Sequence, residues 1–426
     1  MKILIIGGRL DATRWSHAGL LGQVCRGLAS RGHEVTLACI SADEAAYFAP
    51  ARIIAMGEYD QNGTDWPTGF ASWTRVVIAG SGPDVVLSTS RLAWGDVWMP
   101  LGPSASAWIE SVARALGPVG LGKWLYKHPG VLRARALEAS RPWPRGSGGR
   151  RPSRVAVFGA EAAGCAKAAL AGHRLDTRVV ALPFVASTEA RDDAQREGWR
   201  VRLRVAADVG ASDTFALASC VGLVGGSLSP IFEAARLVNE RLGRTGRQGN
   251  LIVGVLARDA FHAHDAGVRA AAAEWVRVLG TTASVEGALA ACDVALLPPA
   301  LIPDPFLMGA SGRFAADALR LGKPVLAADG ASGAELIESL PGLGDPGALV
   351  RHDGVEPPHA PWERALARAM EPQWRDRAVV AAAAAGGLGR IGPNRFIDAL
   401  EVVLEGSMAE ARRAVPGAAR VGGGRR

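Results

Sequence analysis

The sequence predicts an α/β protein built on parallel sheets, and three observations carry that prediction. Short apolar runs that stop at glycine or proline recur along the chain. Helical patterns, several closed by glycine, separate them. The order strand, loop, helix, strand then repeats from the first residues to beyond residue 320. The clearest unit spans Ala291 to Leu336. Val294 to Leu297 is an apolar run stopped by Pro298-Pro299, and an irregular segment with Asp304, Gly309 and Gly312 follows. A helix is predicted from about Ser311 to Leu321, Gly322 ends it, and Pro324 to Ala328 is a second buried strand. Such βαβ units bind ligands beyond the carboxyl ends of their strands. A helix starting at Ser311, Gly312 and Arg313 would offer phosphate its free N–H groups and the positive end of its dipole.

The rest of the chain reads the same way. Lys2 to Ile6 is a buried strand, and Gly7-Gly8-Arg9 is the tight turn after it. A helix from about Ser16 to Arg31 carries Leu20, Leu21, Val24 and Leu28 at helical spacing, Gly32 closes it, and His33 to Ala38 is the next strand. Further strands are predicted at Pro83 to Leu87 and Arg154 to Phe158. A later strand, Phe215 to Val224, runs into Gly225-Gly226. The helix after it takes Ser229 as N-cap and Pro230 as first residue and continues to Leu242. Asn250 to Ala257 is a strand with Arg258 just past it, His264 to Trp275 a helix, and Val276 to Leu279 a strand leading to Gly280-Thr281-Thr282. Helices are predicted at Val285 to Ala291, Pro361 to Met370 and Asn394 to Leu404. Gly406 to Arg426, with Arg412, Arg413, Arg420, Arg425 and Arg426, reads as a disordered basic tail.

A chain of 426 residues is too long for one core, so two domains are expected. Hydrophobic residues at 49% against 21% charged describe a globular protein, and the net charge of +7 favours an anionic partner. The five cysteines, Cys25, Cys39, Cys165, Cys220 and Cys292, are scattered without C-x-x-C and read as small buried hydrophobes in a reducing compartment. No apolar run approaches the ~18 residues of a membrane span, and Met1 to Gly8 is too short for a signal peptide, so a cytoplasmic location is expected. Gly7-Gly8-Arg9-Leu10 lacks the third glycine of a dinucleotide fingerprint, and the chain has no H-E-x-x-H, G-x-S-x-G or Walker loop. His17, His33, His262 and His264 show no metal-ligand spacing. No metal and no cofactor are therefore expected.

Several of these segments resemble one family. The acidic residue and Leu-Pro that close the strand at Asp293 to Pro298, the Asp-Pro-Phe at Asp304 to Phe306, and Ala316-Asp-Ala-Leu-Arg-Leu-Gly-Lys-Pro-Val-Leu-Ala327 are similar to the C-terminal half of family 4 of the GT-B-fold glycosyltransferases. Gly27-Leu-Ala-Ser-Arg-Gly-His-Glu-Val-Thr-Leu37 resembles the opening βαβ of many GT-B N-terminal domains. Asp96-Val-Trp-Met-Pro100 resembles a segment of their middle, and Arg178 to Val185 the segment that ends their first domain. The resemblance implies two facing Rossmann-like domains with parallel sheets: residues 1–183 on the acceptor side and 184–390 on the donor side. It also implies a C-terminal helix, 391–405, crossing back to the first domain. The implied activity is transfer of a sugar from a nucleotide sugar, itself a substrate and not a cofactor, to a glycan or lipid-linked acceptor with retention. The setting by analogy is cell-surface polysaccharide or lipopolysaccharide assembly. The donor side would comprise Gly225, Gly226, Arg258, Thr281, Asp304, Gly309, Ser311, Gly312, Arg313 and Asp317. Asp317 matches the second member of the family's acidic pair, which binds ribose. The acceptor side would comprise Gly7, Gly8, Arg9, His17 and Asp96.

The chain departs from that pattern in three places. Leu101-Gly102-Pro103 stand where many relatives carry a histidine that faces the sugar. No cation lies between Arg204 and Arg236, where the family places an Arg and a Lys on the diphosphate. The first member of the acidic pair falls on Gly309. A catalytically inactive binding or scaffold protein of the same fold is the alternative these departures allow. Between Lys123 and Arg154, finally, Lys123, Lys127, Arg133, Arg135, Arg141, Arg145, Arg150, Arg151 and Arg154 face only Glu138, with Trp124, Tyr126 and Trp143 among them. This stretch, 123–154, fits peripheral contact with an anionic membrane at its inner face, or a solvated helix and loop. Nothing resembles a nucleic-acid module, so no nucleic acid is expected.

Overall fold

The computed structural model describes residues 1–413 except 11–17, 43–47, 58–64, 102–104, 141–153, 172–176, 187–192, 219–227, 247, 257–273, 280–284, 300–304, 332, 340–348 and 388–390. The elements of the first half are β1 (Lys2–Ile6), β2 (Arg9–Leu10), α1 (Ala18–Ser30), β3 (Glu34–Cys39), β4 (Ser41–Ala42), β5 (Arg52–Ala55), α2 (Trp66–Ser81), β6 (Val85–Ser88), β7 (Val97–Trp98), α3 (Ala105–Lys127), α4 (Pro129–Ser140), β8 (Arg154–Phe158), α5 (Ala160–Ala171) and β9 (Arg178–Leu182). The second half holds α6 (Asp193–Ala206), β10 (Thr214–Ala218), α7 (Ser229–Thr245), β11 (Leu251–Leu256), β12 (Val276–Leu279), α8 (Val285–Ala291), β13 (Val294–Leu297), α9 (Pro305–Arg320), β14 (Val325–Ala328), α10 (Ala334–Glu338), β15 (Leu349–Val350), α11 (Ala360–Ala369), α12 (Pro372–Gly387) and α13 (Pro393–Arg413).

Two sheets follow. One has the order β5-β3-β1-β6-β7-β8-β9 and the other β12-β11-β10-β13-β14-β15, with every pairing parallel. Burial accounts for the composition of the strands. Ile3 to Ile6, Thr214 to Ala218 and Val294 to Leu297 are buried at every position, as strands covered on both faces must be. Three of the cysteines serve this interior. Burial pushes the thiols of Cys25 and Cys292 up to about 12 and that of Cys39 to about 11, which leaves them inert apolar fillers.

Three sequence expectations are corrected by the fold. Gly7-Gly8-Arg9 is not a tight turn. Gly7 N–H donates to Ala38 O (2.8 Å), Ile40 N–H donates to Gly8 O (3.2 Å), and Arg9–Leu10 then pairs with Ser41–Ala42, so the chain stays extended and buries Leu10. Ser229 is the first residue of α7 and makes no side-chain cap. Past the first sheet, α6 packs on α8 and its Arg204 pairs with Asp293 (3.1 Å). The C-terminal helix does not stop at Leu404.

That last helix, α13, binds the first domain along its length. Arg31 pairs with Asp398 and with Glu401 (2.6 Å), His33 Nε2 donates to Glu401 Oε1 (2.6 Å), Phe396 stacks on Phe158, and Arg154 pairs with Glu410 (2.9 Å). Ser407, fully buried, donates to Asp96 O (3.2 Å). These contacts hold the helix through Gly406 to Arg413, where the sequence suggested a disordered tail; residues 414–426 lie outside the described residues. Burial of that last stretch outweighs the helix-breaking cost of one glycine, about 1 kcal/mol. His33 is likewise part of this clamp.

Candidate functional site

The two sheets meet at a seam formed by the carboxyl ends of three strands. Gly159 follows β8, Phe184 lies two residues past β9, and Glu335 sits in α10 beyond β14. The Glu335 carboxylate reaches across the seam to the start of α5. Ala160 N–H donates to both of its oxygens (2.9 and 3.0 Å) and Glu161 N–H to one (3.2 Å). A carboxylate at a helix N-terminus satisfies orphan donors and meets the positive end of the dipole. The Phe184 ring, buried, lies against a glycine from each side. A Cβ on Gly312 would fall 2.0 Å from the ring and one on Gly159 would fall 2.7 Å from it, as well as 1.9 Å from Glu335 Oε1. Gly159 also has φ +86°, which only glycine adopts freely.

The predicted site residues divide into three groups. His17, Gly225, Gly226, Arg258, Thr281 and Asp304 lie outside the described residues, as do His262 and His264. By chain position Gly225, Gly226, Arg258, Thr281 and Asp304 still fall in the connections after the carboxyl ends of β10, β11, β12 and β13. Gly309, Ser311, Gly312 and Arg313 do not form a helix start. α9 begins at Pro305, a residue preset for the first helical position, which places all four inside the helix with their N–H groups in its own ladder. Gly312 instead makes room for Phe184. Arg313 and Asp317, one turn apart, are 2% and 4% exposed, so neither is open to a ligand arriving from solvent in this conformation.

Asp96, expected on the acceptor side, occupies the opposite end of its sheet. It precedes β7, its carboxylate accepts from Val86 N–H (2.8 Å), and its own N–H donates to Val86 O (2.8 Å). Asp293 does the same before β13: its carboxylate accepts from Phe215 N–H (2.8 Å) and its N–H donates to Phe215 O (2.7 Å). Both aspartates stitch the amino ends of parallel strands, away from the seam. Gly7 and Gly8 are at the carboxyl end of β1, with Arg9 in the short β2–β4 ribbon.

The basic stretch separates on folding. Lys123, Lys127, Arg133 and Arg135 are exposed on α3 and α4, beside Val119 (74% exposed) and Tyr126 (88%). Trp124 is turned onto His128 in a stack with centroids 4.7 Å apart. The one acid, Glu138, is spent accepting from Ala105 N–H (2.9 Å). Arg154 does not belong to this face, because it starts β8 and pairs with Glu410; residues 141–153 lie outside the described residues. Among the described residues no helix is long and apolar enough to cross a membrane, and no cluster of His, Cys, Asp and Glu could hold a metal ion.

No protein-family model matches the chain, and no curated protein matches it in sequence. Solved structures match it in fold along nearly the whole length. WaaG, a glycosyltransferase involved in lipopolysaccharide biosynthesis, superposes with TM-score 0.61 at 15% identity, over 95% of this chain and 100% of that one. A glycosyltransferase from Rickettsia africae gives 0.57 at 11%, over 96% and 98%. The α,α-trehalose 6-phosphate synthase from Burkholderia multivorans gives 0.52 at 11%, over 96% and 99%. Two facing Rossmann-like domains with all-parallel sheets and a seam at their carboxyl ends define the GT-B fold class, and this chain has that fold.

Proposed function

We propose that the chain is a glycosyltransferase that moves a sugar from a nucleotide-sugar donor to a glycan or lipid-linked acceptor with retention, in assembly of cell-surface polysaccharide or lipopolysaccharide. One observation carries the reading: the carboxyl ends of two parallel sheets face each other along one seam, the position where open α/β sheets bind ligands. The donor would lie over the second sheet, in the connections that carry Gly225, Gly226, Arg258, Thr281 and Asp304. Backbone N–H groups of Gly225 and Gly226 and the Arg258 guanidinium would meet the charge that grows on the departing diphosphate. Asp317 and Arg313, being buried, would position α9 beneath that site; Asp317 is the residue at which the family's ribose contact would fall. Gly7, Gly8 and Arg9, at the end of β1, would border the acceptor. Catalysis then consists of positioning and electrostatic stabilisation, with the nucleotide sugar as substrate and no separate cofactor.

The location that fits is the cytoplasm, with peripheral contact at the inner membrane face through exposed Val119, Lys123, Tyr126, Lys127 and Arg133. Calorimetric titration with UDP, GDP and ADP tests the function. One of the three is expected to bind, and Arg258→Ala is expected to weaken it about 10-fold or more, the worth of a charge-assisted hydrogen bond. Binding of none of the three would remove the proposal.

A further inference from the structure

The seam described above is also where the chain passes from one domain to the other. Residues Pro183 to Ala186 connect β9 to the second half, and the far end of this linker is fixed: Ala186 N–H donates to Ile391 O (3.1 Å) and Gln23 Nε2, buried in α1, donates to Ala186 O (3.1 Å). Two residues before that fixed end stands Phe184, wedged between Gly159 of the first domain and Gly312 of the second. Immediately beside it, Glu335 of the second domain takes three N–H bonds from the start of α5 in the first.

We infer that this knot is a hinge lock: Phe184 is the pivot, and the Glu335 carboxylate on the N-terminus of α5 sets the angle at which the two domains close. The bonds are charge-assisted, strong enough to favour one angle and weak enough to release. Their surroundings limit that strength. Burial and the nearby carboxylates of Glu335, Asp329 and Glu338 hold Glu161, the second residue of α5, above the usual carboxylate range, so the lock works against like charge. The two missing Cβ atoms belong to the same device, since side chains at Gly159 or Gly312 would drive Phe184 out of its seat. The inference rests on the fold and not on sugar transfer, and its test uses neither donor nor acceptor.

The test compares the full chain with Glu335→Ala and Glu335→Gln by amide hydrogen exchange and small-angle X-ray scattering. In Glu335→Ala the amides of Ala160 and Glu161 are expected to exchange at least ~10-fold faster, and the radius of gyration to rise as the domains part. Glu335→Gln keeps the shape and one acceptor, loses the charge, and should fall between the two; it also serves if the alanine variant fails to fold. Unchanged exchange at both amides overturns the lock. So does faster exchange with an unchanged scattering profile, because that result describes a helix cap with no hold on the domains.

Discussion

The carboxyl ends of the two sheets are used differently. In the first sheet the end of β8 is taken by Glu335 and the end of β9 by Phe184, both in protein contacts. In the second, β10 to β13 run into connections that hold five of the ten candidate donor residues, at 219–227, 257–273, 280–284 and 300–304. The same topological position therefore carries either the machinery that sets the domain angle or the groups assigned to the ligand. Substitution should tell the two apart. At the first kind of site stability and domain angle change; at the second, ligand affinity changes alone, and Arg258→Ala should stay within about 0.5 kcal/mol of the parent in denaturant.

The largest effect is expected at Gly159. Gly159→Ala puts a methyl group 1.9 Å from the Glu335 carboxylate and 2.7 Å from the Phe184 ring, on a backbone with φ +86°. Steric strain of about 1–3 kcal/mol and a similar cost for the disfavoured φ give a loss of about 3 kcal/mol. Gly312→Ala faces a comparable clash without the backbone term, and its better helix propensity returns about 1 kcal/mol, so it should lose less. Urea denaturation midpoints of the two variants check the order. If Gly312→Ala proves the more damaging, Phe184 is not held between the two glycines as described.

Asp293→Ala breaks the second sheet at its amino end. It removes the carboxylate from Arg204, a guanidinium only 11% exposed that keeps its bonds to the carbonyls of Ala291, Gly210 and Asp213, and the acceptor of Phe215 N–H. About 2 kcal/mol should be lost while the exchange of Ala160 and Glu161 stays as in the parent, which separates general weakening from unlocking of the seam.

Asp96 and Asp293 also show how far the sequence could be read. The parallel strands are legible because three or four apolar residues in a short run ending at glycine or proline leave few alternatives, and Lys2–Ile6, Val276–Leu279 and Val294–Leu297 agree with the expectation residue for residue. A carboxylate beside a strand is less legible. Asp-Val opens β7 and β13 alike, and only the register shows that each aspartate bonds a neighbouring strand's amino end instead of facing the seam. Pro305 marks the true start of α9, yet the Asp-Pro-Phe around it reads equally well as a loop, so the sequence places the helix about a turn and a half late and suggests an anion site where the ladder is continuous. Glu335 is not legible at all, and Phe184 is legible only as part of the segment that ends the first domain, not as a contact. Their partners, Ala160 and the glycines at 159 and 312, are distant in sequence, and no local pattern announces such a contact; the one hint is a glycine that directly follows an apolar strand without being needed for a two-residue turn.

A smaller effect is expected at the C-terminal clamp. Burial alone would raise the pKa of Glu401, but the hydrogen bonds from Arg31 and His33 prevail and hold it below the usual carboxylate range. A depressed folded-state value means stability that is present above the unfolded pKa and lost as pH falls through the folded one. Arg31→Ala and Glu401→Gln should each cost about 1 kcal/mol at neutral pH, the upper range for a partly exposed pair, and the cost should fade in acid. Because the clamp joins α13 to α1 and not to the second sheet, the scattering profile should not follow it.

The smallest expected effect has the opposite sign and bears directly on the seam. Glu161 is exposed, and its pKa is raised first by desolvation and then by Glu335, Asp329 and Glu338. A raised folded-state value means that the folded protein holds this proton more tightly than the unfolded chain does. Stability is therefore fully present below the unfolded pKa and is partly lost as pH rises through the folded one. Glu161→Gln removes the charge that causes the loss. At neutral pH it should stabilise the protein by a few tenths of a kcal/mol, discounted for exposure, and below the carboxylate range the gain should vanish. Denaturant midpoints taken across pH check this. If the gain persists in acid, it does not come from charge, and the acids around Glu335 do not oppose its bonds to α5. If it vanishes as expected and the exchange of Ala160 slows at neutral pH, relief of repulsion and tightening of the Glu335 contact are one event.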